Sequence, residues 1–436
     1  MIRKLSIVLI SPKGDSFGSN PRFQRYLYDS REMRAILHYW NGIGLALPVL
    51  ASLTPREHQV QIIDENYESI DFDLACDIVG ITSMTQQAPR AYEIAEEFRR
   101  RGRYVVLGGI HATVLPEEAL QHCDAVFIGE SENSWPAFLS DFCAGTSKSR
   151  YHQQDFPSVD IRNSPVPRYD LLSKYSYPVA FVQSTRGCPH NCDFCVASNI
   201  YGRTFRTKSL HQVIQEVKEA KRCWKRAQIG FADDNMFVNK SFSRSVISAF
   251  KDMSFTWFAV CDVSIGRNAA LLADMHESGC RSLLIGFESL SESNLRILNP
   301  SRWKERNLHR YSEYIKRIQE HGIAVYGSFI LGCDMDDSGS VNKIIEFALQ
   351  TNMIGAHATV LTPFPGSRLR LRLQNENRIL HDDWQLYTLW NAVIKHPLLT
   401  KQQLEGGVIR VFETIFSQEN NQRRVKYFKR ICQELV

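Results

Sequence analysis

The sequence of 436 residues lacks the features of several large classes of protein. No apolar stretch approaches the roughly 20 residues that span a bilayer, so no transmembrane segment is predicted. The basic start runs into Gly14 without a small-residue cleavage site, so no signal peptide is predicted either. Internal repeats, low-complexity tracts and long runs of one charge are also missing. The cytoplasm is therefore the expected location.

The composition excludes a disordered or collagen-like chain, because 44% of the residues are hydrophobic and 23% are charged. Lys and Arg number 52 against 47 Asp and Glu, a net charge of +5 that is spread evenly, so no nucleic-acid partner is expected. The length predicts two or three domains. Eleven cysteines in a chain without a predicted signal peptide favour free thiols or metal ligation over disulfides.

Residues 1–145 alternate short β-branched runs with helical patterns, which is typical of a parallel sheet. Gly102 follows a helical pattern at a position where a C-terminal cap belongs. We predict a Rossmann-like domain here, followed by a linker over residues 146–177 that contains prolines and has no periodicity. The predicted strands are Leu5 to Ile10, Val60 to Ile63, Ile78 to Thr82, Tyr104 to Leu107 and Ala125 to Ile128.

The alternation resumes over residues 178–369, where six strand patterns are each followed by a helical one. This order predicts an α/β fold whose second domain is a six-unit partial TIM barrel. Residues 370–436 are polar and helical in pattern, and we predict an accessory helical tail. The six predicted strands are Val179 to Ser184, Ala227 to Phe231, Phe255 to Cys261, Ser282 to Phe287, Ile323 to Leu331 and Ala356 to Leu361.

Three cysteines, Cys188, Cys192 and Cys195, follow the first predicted barrel strand, at the end where parallel barrels keep their active sites. A structural zinc site needs a fourth ligand, and His190 is the only spare one nearby. Three thiolates on a four-iron cluster leave one iron open to a substrate or cofactor. The spacing favours a [4Fe–4S] cluster, with buried or zinc-binding cysteines as the alternative.

The triplet, the aromatic Phe194 before its last cysteine and the six-unit barrel resemble the radical S-adenosylmethionine superfamily. The resemblance implies that the open iron chelates S-adenosylmethionine. An electron from the cluster then cleaves the C–S bond to give a 5′-deoxyadenosyl radical. A one-electron donor such as flavodoxin or ferredoxin is implied as a partner.

Polar and small residues stand at the matching ends of three further barrel strands. The resemblance implies that those after the second strand accept hydrogen bonds from the methionine ammonium. Those after the fourth strand would bind the ribose hydroxyls, and two glycines on the fifth would let the backbone approach the adenine. A solvated turn of acids is the alternative. The residues are Asp233, Asp234 and Asn235, then Glu288 and Ser289, then Gly327 and Gly332.

Several strands of the first domain end in small or hydroxyl residues, which suit the crevice where a parallel sheet binds its ligand. These segments resemble the cobalamin-binding domain found in front of many radical enzymes. The D-x-H-x-x-G segment of many such domains is absent, and SPKGDSFGSNPRF follows the first strand instead. The resemblance implies contacts from Thr82, Ser83, Met84, Thr85, Gly108, Gly109, His111, Gly129 and Glu130.

No protein imidazole is expected to ligate cobalt. His111 is the one histidine among the implied contacts. A single histidine at a strand end is more often a hydrogen-bonding loop residue than a metal ligand.

The segments GRTFRTKS after the triplet and PFPGSRL near residue 365 resemble the subgroup of hopanoid-tailoring and porphyrin-ring-forming enzymes. This resemblance implies a cobalamin-dependent enzyme that acts on an unactivated carbon of a biosynthetic intermediate, a small molecule. Methyl transfer is the leading reaction, with radical cyclisation or rearrangement as the alternative. The substrate-contacting catalytic residues are not assigned.

An RNA methylthiotransferase is a further alternative, because it would hold a second cluster on three cysteines of the first domain. Cys76, Cys123 and Cys143 are the candidates. Two of them precede predicted strands and so belong at the edge opposite the crevice, and no β-rich RNA-binding tail follows. An iron–sulfur carrier or sensor is the non-enzymatic alternative, but it would not need the polar residues at the strand ends.

Overall fold

The computed structural model describes residues 4–14, 21–30 and 44–435. Its first half is built on a six-stranded parallel sheet, ordered β2-β1-β3-β4-β5-β6. The order changes direction at β1, because the chain first adds β2 on one side and then β3 on the other. The strands are β1 Ser6–Ser11, β2 Gln59–Asp64, β3 Ile78–Thr82, β4 Tyr104–Gly108, β5 Ala125–Ile128 and β6 Arg150–His152.

Helices cover this sheet as the predicted Rossmann-like alternation requires. In Ala88–Arg100 the residues Ala91, Ile94, Ala95 and Phe98 are buried at helical spacing, and Gly102 follows with φ +74°. The helices are Pro21–Asp29, Ala46–Leu53, Ala88–Arg100, Gly109–Val114, Pro116–Ala119 and Ser134–Ala144. Short 3₁₀ turns occupy Thr85–Gln87, Gln153–Asp155, Ile161–Asn163 and Tyr169–Leu172.

The sixth strand lies inside the segment that the sequence predicts to be a linker. β6 pairs in parallel with β5, with Phe127 opposite Tyr151. The Tyr151 ring stacks on Phe127 with centroids 5.3 Å apart, and its hydroxyl donates to Asp141 at 2.9 Å. A strand of three residues is too short to show a period, so its single buried side chain gives no signal in the sequence.

The second half contains the six predicted barrel strands, all parallel and neighbouring one another in chain order. β7 and β14 are the two edges of this sheet, so the barrel is partial within the described residues. The strands are β7 Val179–Val182, β10 Gln228–Phe231, β11 Trp257–Cys261, β12 Cys280–Glu288, β13 Ala324–Leu331 and β14 Gly355–Val360. A separate antiparallel pair joins β8 Thr185–Arg186 to β9 Arg206–Thr207.

The helices of the second half follow the barrel strands. A capping box begins the helix Leu210–Cys223, since Ser209 N donates to the Gln212 side chain at 2.9 Å and Gln212 N donates back to Ser209 Oγ at 3.3 Å. The helices are Ala197–Ile200, Leu210–Cys223, Lys240–Phe250, Ala269–Glu277, Glu292–Leu298, Trp303–Asn307, Tyr311–Glu320 and Ser340–Gln350. The 3₁₀ turns are Val263–Arg267 and Leu308–Arg310.

The alternation of side chains along β12 separates the helix-facing side of the barrel from its interior. Phe287 is fully buried and contacts Tyr311 and Phe347 of the outer helices, with ring centroids 5.0 and 6.0 Å away. Glu288 does not continue this alternation, because the register with β13 shifts between Gly286 and Glu288 and Glu288 has φ +66°. Its carboxylate acts on the Cys192 thiol and therefore lies close to the cysteine loop at the carboxyl end of the strand.

The C-terminal tail is helical at both ends and irregular between them. Helices cover Arg368–Asn375, Lys401–Ile415 and Gln418–Glu434, with a 3₁₀ turn at Trp384–Leu386. Trp384 donates from Nε1 to Glu118 of the first half at 3.0 Å. The tail therefore joins both halves. Of the helices in the described ranges, none is both long and apolar enough to cross a membrane.

Two Gly→Ala substitutions test two different effects: backbone strain at a positive φ, and the helix propensity of a residue inside a helix. Gly279 has φ +95°, and a Cβ there would overlap the carbonyl oxygen of Phe255. Gly279→Ala should therefore destabilise the protein by about 2 kcal/mol. Gly406 lies inside Lys401–Ile415, and a Cβ added there would meet nothing within 4 Å. Gly406→Ala should stabilise the protein by about 0.5 kcal/mol. Thermal unfolding of both variants checks the opposite signs, and equal shifts would contradict this account.

Candidate functional site

A cavity of about 570 Å³ lies where the carboxyl ends of the two sheets approach each other. The first half and the second half both contribute to its wall, so the cavity is shared between them. The predicted contacts on the wall are Thr82, Ser83, Met84, Gly108, Gly109, Gly129 and Glu130. From the second half, Gln183, Arg186, Tyr201, Lys208 and Ala232 line it.

The small residues of this wall allow the backbone segments to pack closely, and they also leave space for the cavity. Gly109 has φ +92°, and a Cβ would stand 2.6 Å from Thr82 Oγ1 and 2.8 Å from Ser83 N. Ser83 N donates to Gly108 O at 3.2 Å, and His111 N donates to Ser83 O at 3.2 Å. The ends of β3 and β4 are therefore locked side by side, with little side chain between them and the cavity.

Buried ion pairs close the cavity between the two halves. Arg186 contacts Glu130 at 2.5 Å and Glu132 at 2.7 Å, and Arg206 contacts Glu130 at 2.8 Å. Burial acts to lower the pKa of Arg186, but the two carboxylates raise it above its ordinary value. Glu130, predicted as a cofactor contact, is thus already paired with two arginines. Gly129 positions it, with φ +88° and N–H donating to Thr113 at 3.0 Å.

Two of the predicted contacts, Thr85 and His111, are buried and are not among the residues that line the cavity. His111 Nε2 lies 3.1 Å from Glu118, which also accepts from Tyr92 at 2.9 Å and from Trp384. Burial acts to raise the pKa of Glu118, but these hydrogen bonds hold it below its ordinary value. This network therefore accounts for the position of His111, and a contact between His111 and the cofactor stays a prediction.

The cysteine loop follows β8 and is fixed from two sides. Asp193 N donates to Leu298 O at 2.9 Å, and the Asp193 carboxylate pairs with Arg368 at 2.8 Å. Asn299 donates from Nδ2 to Cys192 Sγ at 3.3 Å. Cys188, Cys192 and Cys195 are all half-buried and free of disulfides.

The surroundings of the three thiols fit a set of cluster ligands. Burial raises the pKa of Cys188 to about 12 and of Cys192 to about 11, and it also raises the pKa of Cys195. Backbone hydrogen bonds from His190 to Cys188 and from Ser198 to Cys195 act the other way. Iron–sulfur sites use such N–H donors to sulfur, and coordination must displace the thiol protons.

The cysteines of the RNA methylthiotransferase alternative lie elsewhere. Cys76 and Cys123 are buried just before β3 and β5, at the sheet edge opposite the cavity, and Cys143 is exposed on Ser134–Ala144. Over residues 4–14, 21–30 and 44–435, no three His, Cys, Asp or Glu side chains are placed to share one metal ion.

The two adjacent acids after β10 have different surroundings. Asp233 accepts from Ser184 N at 2.7 Å, Ser184 Oγ at 2.5 Å and Thr185 N at 2.8 Å. Burial raises its pKa to about 6, although these hydrogen bonds oppose the shift. Asp234 is less buried and accepts from Gly187 N at 3.1 Å. Asp233 therefore holds the turn between β7 and β8, while Asp234 lies beside the cysteine loop.

Asn235 hydrogen-bonds to Asp262, a residue of the site that was not predicted from the sequence. Its Nδ2 donates to Asp262 Oδ2 at 2.8 Å, and His190 Nε2 lies 3.4 Å from the same oxygen. Burial acts to raise the pKa of Asp262, but hydrogen bonds from His190, Ser264 and Asn235 hold it well below its ordinary value. Asp262 directly follows β11, so its strand-end position was the available signal.

Glu288 forms a buried ion pair with a second missed residue, Lys304. Lys304 Nζ lies 2.5 Å from Glu288 Oε1 and 2.6 Å from the carbonyl oxygen of Gly286. Burial acts to lower the pKa of Lys304, but Glu288 raises it overall. Glu288 also has φ +66°, uncommon for a residue with a side chain. No pattern in the sequence joins these two residues.

The remaining predicted residues divide between this edge and the core. Ser289 accepts from Asn294 Nδ2 at 3.4 Å, and Asn294 donates to Asp336 at 3.0 Å. Asp336 in turn accepts from Gly332 N at 2.8 Å. A Cβ on Gly327 would stand 2.7 Å from Met353 Sδ. Packing therefore accounts for the lack of a side chain at Gly327, and the approach of its backbone to the adenine stays a prediction.

The comparisons with known proteins identify the class. The radical SAM superfamily model matches residues 182–348, and the B12 binding domain model matches residues 38–139. The chain belongs to the radical S-adenosylmethionine enzymes that carry a cobalamin-binding domain. It is an enzyme of this class, with a [4Fe–4S] cluster, S-adenosylmethionine and cobalamin as cofactors.

Among its relatives is the bacteriochlorophyllide d C-8(2)-methyltransferase of Chlorobaculum tepidum, 30% identical over 84% of this chain and 85% of the relative. An anaerobic magnesium-protoporphyrin IX monomethyl ester cyclase of Rubrivivax gelatinosus is 24% identical, with 78% and 66% covered. The solved methyltransferase TsrM of Kitasatospora setae, with cobalamin and a [4Fe–4S] cluster bound, has a TM-score of 0.66. It is 14% identical, with 86% of this chain and 75% of that chain covered.

These findings confirm the predicted fold class, family resemblance and cofactors. The individual ligand assignments, the electron donor and the location in the cytoplasm stay predictions.

The two acids after β10 can be distinguished by stability. Asp233→Ala leaves three buried donors without an acceptor and should cost about 3 kcal/mol of folding free energy. Asp234→Ala removes the acceptor of one N–H group and should cost about 1 kcal/mol. Thermal or urea unfolding of the purified protein measures both. A loss in Asp234→Ala as large as that in Asp233→Ala would contradict the structural role given to Asp233.

Proposed function

We propose that this enzyme transfers a methyl group to an unactivated carbon of a small biosynthetic intermediate. The observation that carries the proposal is the shared cavity, which brings the cobalamin-binding half and the radical barrel to one space. A reaction that needs both cofactors requires such a meeting point. The alignment with the methyltransferase relative covers 84% of this chain and 85% of the relative, and it supports the same reaction.

Cys188, Cys192 and Cys195 are the cluster ligands in this proposal. When bound, the cluster supplies the electron that cleaves S-adenosylmethionine, and cobalamin supplies the methyl group. The chain itself contributes N–H donors to the sulfurs, the Asn299 contact with Cys192 and a loop held by Asp193. These contacts hold the loop and the sulfur of Cys192 in place before the cofactor is bound, which reduces the ordering cost of binding.

The acids around the cysteine loop bind and orient S-adenosylmethionine in this proposal. Asp234 is the acid after β10 whose carboxylate is less engaged, so it suits the methionine ammonium better than Asp233 does. Glu288 lies close to the cysteine loop at the carboxyl end of β12 and suits the ribose hydroxyls, with Lys304 fixing its rotamer. Asn235, Ser289 and Gly332 lie at the same edge and complete the set.

Cobalamin lies against the wall formed by Thr82, Ser83, Met84, Gly108 and Gly109 in this proposal. The backbone contacts between the ends of β3 and β4 make this wall rigid, and its small residues leave room for a bulky ligand. No histidine is among the described residues that line the cavity. Of the stretch without the imidazole motif, residues 15–20 lie outside the described residues.

A labelling experiment tests the reaction. The anaerobically reconstituted protein is reduced and supplied with cobalamin, methyl-labelled S-adenosylmethionine and an extract of candidate intermediates. The expected products are 5′-deoxyadenosine and a metabolite that has gained the label. The triple variant Cys188→Ala/Cys192→Ala/Cys195→Ala should lose iron, sulfide and the paramagnetic signal of the reduced cluster. Full retention of that signal would mean that the cluster is bound elsewhere.

Radical cyclisation is the second candidate reaction, because a cyclase is among the relatives. The same experiment separates the two reactions. Cyclisation would give 5′-deoxyadenosine and a product without the methyl label, so that outcome would overturn methyl transfer and keep the radical chemistry.

The cavity wall can be tested by filling it. Gly108 has an extended backbone, and a Cβ would meet only Phe127, at an ordinary distance of 3.5 Å. Gly108→Val should therefore fold but lose at least about tenfold in cobalamin affinity, because its branched side chain takes up space in the cavity. Absorption spectra of protein purified with cobalamin measure the bound fraction.

His111→Ala is the matched control, because His111 is buried away from the cavity. The cobalamin bound to His111→Ala should have the same absorption spectrum as the cobalamin bound to the unmodified protein. Undiminished cobalamin binding by Gly108→Val would mean that the cofactor binds at another site.

An acidic one-electron donor such as flavodoxin or ferredoxin reduces the cluster in this proposal. The free thiols and the need for a reduced donor favour the cytoplasm as the location of the reaction.

A further inference from the structure

Five exposed arginines lie around the segment that follows β12. We call Arg267, Arg296, Arg302, Arg306 and Arg310 the arginine patch. All five are exposed, and the side chains of Arg296 and Arg302 are each 54% exposed. They come from Val263–Arg267, from Glu292–Leu298 and from the stretch over residues 302–310.

The arginine patch has little negative charge to balance it. Glu305 pairs with Arg296 at 2.7 Å and with Arg302 at 2.8 Å. Arg267 and Arg310 instead donate to the hydroxyl of Tyr314, at 2.9 and 3.2 Å. Arg306 donates to the backbone carbonyls of Ser301 and Arg302, at 2.6 and 3.2 Å. Two of the five arginines therefore pair with a carboxylate, that of Glu305, and Arg310 interacts with a second one, that of Glu313.

The segment that carries these arginines packs directly on the cysteine loop. Asn299 donates to Cys192 Sγ at 3.3 Å, and Leu298 O accepts from Asp193 N at 2.9 Å. The rings of Trp303 and His190 lie 5.5 Å apart. Arg296 and Arg302 therefore flank the residues that contact the loop, and Asn299, three residues before Arg302, touches one of the sulfurs.

We propose that the arginine patch is the docking surface for an acidic protein that delivers single electrons to the cluster. This rests on the proposed function, since it requires a cluster on Cys192. One electron leaves the reduced donor and enters the cluster, so the donor is oxidised by one electron and no covalent bond changes. Positive charge at this position raises the rate of productive encounters with a negatively charged partner.

The location favours a protein electron donor over a nucleic acid. An electron donor must approach the cluster closely, and Arg296 and Arg302 flank the residues that contact the loop that would hold it. Electrostatic attraction suits an encounter that must be fast and short-lived, because salt-screened charge pairs raise the association rate more than the affinity. A nucleic acid has no such requirement for a position beside the cysteine loop.

The test compares two reductants of the same holoenzyme. The variant Arg296→Gln/Arg302→Gln removes two charges from the patch. The control Lys426→Gln/Lys429→Gln removes two from Gln418–Glu434, whose Tyr427 contacts Gln319 near the opposite edge of the barrel. With reduced flavodoxin at low ionic strength, the first variant should form 5′-deoxyadenosine about tenfold more slowly than the unmodified protein. With dithionite, a small reductant, both variants should match it.

A change of opposite sign strengthens the test. Glu305→Gln removes the carboxylate from the patch and should raise the flavodoxin-driven rate. Added salt should abolish the differences, because the Debye length is about 10 Å at 0.1 M and shorter above it. Binding of oxidised flavodoxin, measured by titration, should weaken in the double arginine variant and tighten in Glu305→Gln.

The outcomes that overturn the inference are distinct from failure of the proposed function. An unchanged flavodoxin-driven rate in the double arginine variant, or an equal loss with dithionite, would overturn the docking surface. A loss of RNA binding in the double arginine variant, without any change in flavodoxin binding, would also overturn the docking surface. If the unmodified protein cleaved no S-adenosylmethionine with dithionite, the proposed function would fail instead, and the flavodoxin titration would still measure docking.

Discussion

The candidate site depends on one set of buried charges, the pairing of Arg186 with Glu130 and Glu132. The three side chains are only 10%, 8% and 12% exposed, and they belong to opposite halves of the chain. Removing one partner of a buried pair leaves an uncompensated charge and costs about 3 to 5 kcal/mol. The pairs therefore help to hold the carboxyl ends of the two sheets together around the shared cavity, in addition to the contact of Trp384 with Glu118 and the apolar core that both halves share.

The residues at these strand ends divide into those that build the edge and those that remain available to a ligand. Asp233 is engaged by Ser184 and Thr185 and fixes the turn before the cysteine loop. Asp234, one residue later, points to the loop with a less engaged carboxylate. A rigid supporting residue next to a residue that is available to a ligand keeps the binding group at a fixed position.

The sequence predicted what depends on local period and spacing. Ile78–Thr82 and Ala125–Ile128 were predicted to the residue, because each is a short, continuous apolar run that polar residues or turns bound on both sides. Lys304 could not be predicted, since its pairing with Glu288 depends on how a loop folds back over 16 residues. The contact of Trp384 with Glu118 spans 266 residues and has no trace in either local pattern.

The cysteine loop separates two surroundings of opposite charge. On its inner side lie the carboxylates of Asp234, Asp262 and Glu288, of which the first and last raise the pKa of nearby thiols. On its outer side lie the arginines that follow Asn299. In the proposed function, S-adenosylmethionine binds with its sulfonium and ammonium groups on the inner side, and the acidic donor docks on the outer one. The two proposed sites lie on different sides of the loop, so occupation of one leaves the other accessible.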